Sequence, residues 1–118
     1  MLDSVFAFAS LALLILCMGA AVRSSVLLNR FPFLKTVRKH HVLFAVLCCS
    51  CAFAHGILAG RAPAAISGKI AAMLLVLLIV LALPLRSSAN RYWRRIHRTL
   101  SVIVIVLVSV HILHAVLT

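Results

Sequence analysis

The sequence predicts an all-α integral membrane protein, a four-helix up-down bundle, and three observations lead there. Of its 118 residues 65% are hydrophobic and the mean hydropathy is +1.23, more apolar surface than a soluble domain of this length can bury. The apolar residues gather in four runs, roughly 4–22, 42–59, 67–85 and 97–117. Each run has about 18–21 residues, which at ~1.5 Å per residue suits a hydrocarbon core of about 30 Å. Twelve Lys and Arg stand against a single acid, Asp3, and almost all of them lie between the runs.

The first run, 4–22, reads as a retained helix rather than a cleaved leader. Asp3, not a Lys or Arg, stands at its start, the run is long, and Arg23 follows it as a stop. Leu16 is too bulky for the small residue expected before a lipid-modified cysteine, which removes Cys17 as a lipoprotein site. Asn29 to Lys39 is basic, contains Phe31 and Phe33, and is broken by Pro32, a composition for the headgroup layer. The second run, 42–59, and the third, 67–85, are joined by a short connection. Ser87-Ser88-Ala89-Asn90 has the composition of a turn and helix cap leading into the fourth run. Tyr92 and Trp93 precede that run, as interfacial aromatics do. Val22-Arg23-Ser24-Ser25 and Leu85-Arg86-Ser87-Ser88 echo each other, a weak twofold pattern inside what reads as one domain, 1–118.

Charge sets the orientation. The first connection holds Arg23, Arg30, Lys35, Arg38 and Lys39; the second holds Arg61 and Lys69; the third holds Arg86, Arg91, Arg94, Arg95 and, at its border, Arg98. Five, two and five basic residues place the first and third connections in the cytoplasm and both termini outside. This is the expected topology for a multi-pass protein of a bacterial inner membrane. A net charge of +11 would suggest nucleic acid in a soluble protein. Gathered almost wholly in short loops between apolar runs, it is topology charge, and no nucleic-acid partner is expected.

Histidines carry the functional signal. His41 and His55 lie fourteen residues apart in or beside the second run, and His97 and His111 fourteen apart in the fourth. Fourteen residues are nearly four helical turns, so each pair shares a face to within about 40° and is separated by about 21 Å along the axis. Both runs cross from inside to outside, so His41 and His97 fall at one depth and His55 and His111 at another. The stripe between the first pair passes Ala45, Cys48 and Ala52, and between the second Ser101, Val104 and Val108. These slender residues leave a gap for a flat macrocycle, although two closely packed helices use small residues too. A single intramembrane histidine is commonly a helix–helix hydrogen bond. Two on each of two helices, at matched spacing, suit a stacked pair of bis-histidine haem sites better. His114, rotated by about 100° from that face, is a reserve ligand, and His40 is the poorer partner for His55.

Cysteine offers a rival. Cys48, Cys51 and His55 fall at i, i+3 and i+7, one face of one helix, in reach of zinc or copper. A fourth ligand is missing from the sequence, and Cys17 and Cys49 read as small apolar filler.

Arg38-Lys39-His40-His41, then thirteen residues to His55-Gly56, resembles one histidine-bearing helix of the ferric-reductase-like transmembrane domain family. Trp93-Arg94-Arg95-Ile96-His97-Arg98-Thr99-Leu100, with His111-Ile112-Leu113-His114, resembles the other more closely. That family includes ferric reductases, NADPH oxidases and the bacterial haem-binding membrane subunit of periplasmic methionine sulfoxide reductase. The resemblance implies two b haems per chain, His41 and His97 holding the inner one and His55 and His111 the outer one, with electrons moving outward. Arg94, Arg95 and Arg98, together with Arg91, would then face inner propionates, and Arg61 or Lys69 outer ones.

The expected function is therefore transmembrane electron transfer as the membrane component of a reductase system. No flavin or nicotinamide domain is read in these residues. A separate flavin reductase or quinol is the expected donor, and an outside protein or metal the acceptor. The alternatives are a quinol-linked diheme cytochrome b and a non-enzymatic haem- or metal-binding membrane protein.

Overall fold

The computed structural model describes residues 1–61, 65–85 and 91–118. Among them the protein is all-α, with six helices: α1 (Leu2–Gly19), α2 (Ser25–Arg30), α3 (Phe33–Lys39), α4 (His41–Ala59), α5 (Ala65–Leu85) and α6 (Arg91–Leu117). The four apolar runs are α1, α4, α5 and α6, each long and apolar enough to cross a membrane. The turn expected at Ser87–Asn90, with Arg86, lies outside the described residues.

Large apolar side chains stand open along these helices: Phe8 is 73% exposed, Ile57 77%, Ile66 73% and Met73 71%. In water such a surface would aggregate; against acyl chains it is at home. Hydroxyls inside the helices bond their own turn. Ser50 donates to the Val46 carbonyl at 2.9 Å, Ser101 to His97 at 2.7 Å and Ser109 to Ile105 at 2.9 Å, which spares lipid an unsatisfied donor.

The chain divides into two compact units, 1–55 and 56–118. In the first, α1 and α4 run antiparallel. His55 at the far end of α4 meets the carbonyl of Asp3 at 3.0 Å, and Cys48 Sγ donates to the carbonyl of Ser10 at 3.3 Å. Both rungs step by seven residues on both helices. Cys48 is 3% exposed, a weak donor filling a narrow space.

The basic stretch after α1 forms two short helices rather than an irregular segment. Ser24 begins α2, its hydroxyl facing the Leu27 N–H at 3.5 Å, and Pro32 begins α3. The break expected at Pro32 is there, since proline lacks the N–H that would continue α2 but suits a helix start. α1 stops at Gly19, short of the expected residue 22; Ala20, Ala21 and Val22 close its end with tighter turns onto the carbonyls of Cys17, Met18 and Gly19, and α3 packs beside it. A Cβ on Gly19 would stand 3.2 Å from Leu34 Cδ2.

In the second unit α5 and α6 pack against each other along Ala71 and Leu78 on one helix and Val104 on the other, which are 5%, 7% and 2% exposed. α6 begins at Arg91, six residues before the apolar run at 97. Nothing in Arg91–Ile96 breaks a helix, so hydropathy marks where lipid begins and not where the helix does. At 27 residues α6 is about 40 Å long, enough to carry Tyr92, Trp93 and its arginines in the interface. α4 ends at Ala59, and Gly60 follows at φ +63°; this left-handed stop favours glycine for its backbone alone.

Candidate functional site

α4 and α6 each present one polar-to-slender stripe toward protein. On α4 the stripe is His41, Ala45, Cys48, Ala52 and His55; on α6 it is His97, Ser101, Val104, Val108 and His111. Every member of both stripes is buried or half-buried, with Cys48 and Val104 the most enclosed, while His40 and His114 are exposed. The inward faces of the two helices are thus the histidine faces. Between its two histidines each stripe carries only Ala, Cys, Ser or Val, side chains that allow close approach.

His55 is held by α1. Its Nδ1 lies 3.0 Å from the Asp3 carbonyl oxygen. A carbonyl only accepts, so a neutral His55 carries its proton on Nδ1 and its lone pair on Nε2. This is the tautomer that ligates a metal through Nε2, with the opposite nitrogen oriented by a backbone carbonyl.

His111 is held by α5. Its Nδ1 lies 3.1 Å from Ser67 Oγ, and a Cβ placed on Gly68 would stand 2.8 Å from its Cε1. The imidazole therefore lies against the α5 backbone at a position open only because residue 68 has no side chain. His41 and His97 are half-buried at the starts of their stripes. Arg94, Arg95 and Arg98 are exposed on the first turns of α6 around His97, and Arg91, Arg61 and Lys69 are exposed as well. The structure places His41 and His55 in one unit and His97 and His111 in the other.

Three participants were not visible in residue types and spacing. The Asp3 carbonyl is a backbone group, which no side-chain pattern reveals. Ser67 and Gly68 open the third apolar run as a small polar pair, a signal that spacing analysis of histidines passes over. All four cysteines are free thiols. Among the described residues no three or more His, Cys, Asp or Glu gather where they could hold a metal. Cys48, Cys51 and His55 are not among such a group, and Cys48 donates its S–H to the Ser10 carbonyl.

Comparison with protein-family models, curated proteins and solved structures returns no match.

Proposed function

We propose that this chain is the membrane-spanning electron-transfer component of a reductase system, carrying two bis-histidine b haems. The observation that carries the reading is the repeated fourteen-residue histidine spacing on the inward stripes of two long apolar helices. The donor types suit the group: four imidazoles lie on protein-facing stripes, and the Asp3 carbonyl at His55 Nδ1 favours the tautomer that ligates through Nε2.

In this reading His41 and His97 bind the inner haem and His55 and His111 the outer one. A b haem with two imidazole ligands has no open iron position and supplies one-electron transfer rather than oxygen or substrate activation. The chain's own work is placement. The Asp3 carbonyl and Ser67 would orient the outer imidazoles, and the slender residues of each stripe keep the helix surface between its histidines free of bulk. Arg94, Arg95 and Arg98 offer forked donors to carboxylates at the membrane surface. The excess of basic residues in the first and third connections supports a cytoplasmic position for His41 and His97, both termini outside, and residence in a bacterial inner membrane. Electrons are accordingly donated on the cytoplasmic side by a separate flavin reductase or quinol and accepted outside by a protein or metal.

The test is spectroscopic. The purified chain should show a six-coordinate, low-spin b-haem spectrum at about two haems per chain. Absence of haem after expression with excess haem supply refutes the reading. In oriented vesicles NAD(P)H alone should leave the haems oxidised, and a flavin reductase on the cytoplasmic face should reduce them. Reduction only from the outer face reverses the direction.

A further inference from the structure

Ser67 and Gly68 do two different things to one imidazole. Gly68 sets a hard stop: a Cβ there would lie 2.8 Å from Cε1 of His111, 3.2 Å from Nδ1 and 3.3 Å from Nε2. Contacts that short do not occur, and the obstructing atoms belong to a rigid ring that yields only by swinging off α5. Ser67 adds a directional tether, its Oγ 3.1 Å from Nδ1. A steric stop and a polar tether from adjacent residues fix both where the ring sits and how it is turned.

The two outer-level histidines are tethered by different chemistry. The Asp3 carbonyl at His55 only accepts and so dictates one tautomer. The Ser67 hydroxyl both donates and accepts, so it tolerates either tautomer of His111 and follows whichever nitrogen is engaged elsewhere. Ser50, Ser101 and Ser109 turn back on their own helices, whereas Ser67 reaches an imidazole on a neighbouring one.

We propose that Ser67 is a positioning residue for His111, acting through Nδ1, and that Gly68 is the close-approach residue that lets the ring be reached. Resting on the haem reading above, the pair would hold His111 in place as a ligand to the outer haem, Nε2 being the ring nitrogen that Ser67 does not engage. When Nε2 ligates, Nδ1 keeps its proton and donates it to Ser67 Oγ.

The experiment uses the full chain in detergent with ¹⁵N-labelled imidazoles, first without haem and then titrated with haem. Ser67→Ala should move the ring-nitrogen resonances of His111 and leave those of His55 in place. It should weaken one of the two haem sites about ten- to a hundredfold. Ser67→Thr, which keeps the hydroxyl, should restore both readouts, and Gly68→Ala should displace His111 and empty the same site. Unchanged His111 resonances in both Ser67→Ala and Gly68→Ala overturn the proposal, whatever the haem content. If the wild-type chain binds no haem while the His111 resonances respond to Ser67→Ala, the positioning role stands and the haem reading falls.

Discussion

Removing one histidine at a time separates ligand loss from unfolding, and His55→Ala is the informative case. The substitution deletes an imidazole that links α4 to the Asp3 carbonyl of α1 at 3.0 Å. An interhelical hydrogen bond in lipid contributes about 0.6 kcal/mol on average, up to about 1.7. The Asp3 carbonyl is the helical acceptor of its own first turn, so no buried acceptor is left stranded. The second rung, Cys48 to Ser10, is two turns away and untouched. A loss of about 1–2 kcal/mol leaves a helical membrane protein folded, whereas on the proposed reading losing one of two axial ligands removes a bis-histidine site outright. His55→Ala should therefore keep its helical circular dichroism and fall from about two haems per chain to about one. His111→Ala should empty the same site, His41→Ala and His97→Ala should empty the other, and His40→Ala and His114→Ala should retain both. Pyridine haemochrome content against protein mass, with redox titration to show which haem remains, reads the outcome. Loss of both haems in every variant, or loss in His40→Ala and His114→Ala to the same degree, refutes the assignment of ligands by level.

Two further outcomes follow from the packing and the charge pattern. Cys48→Ala should leave haem content and spectrum unchanged, and neither it nor the wild type should hold stoichiometric zinc by elemental analysis; tight zinc lost on Cys48→Ala would revive a thiolate site. Alkaline phosphatase fused after Thr118 should be active and the same enzyme inserted after Lys39 inactive, and the opposite pattern would invert the topology.

Much of the architecture is legible in the sequence because lipid imposes a simple rule: a helix must be apolar for the length it spends in the core. The four spanning helices obey it. What escaped that rule lies at its edges. α2 and α3 are short helices in a basic stretch whose polarity reads as loop, and their turns close around Ser24 and Pro32. The first two turns of α6 are helical but charged, so hydropathy begins the element at His97 and not at Arg91. At the candidate site the inward stripes are legible, because a 3.6-residue period fixes which residues share a face. Their tethers are not. One is the peptide oxygen of Asp3, independent of residue identity, and the other is a serine whose partner lies 44 residues away. Tertiary placement, absent from local pattern, decides both.

The rungs between α1 and α4 repeat every seven residues, Asp3 with His55 and Ser10 with Cys48. A seam with that period counts about 3.5 residues to the turn, and fourteen residues are then four whole turns with no angular remainder. The separation of the two histidines on α4 is twice the interval between the rungs, so on the proposed reading ligand spacing and helix packing share one ruler. Lengthening α4 by a single residue between Cys48 and His55 would turn one histidine by about 100° relative to the other and put the two rungs out of step in the same stroke. Spacings that preserve both come only in sevens, at about 10 Å or about 32 Å; the first crowds two macrocycles and the second overruns the hydrocarbon. On the proposed reading, the interval between the two haem levels is therefore a discrete quantity.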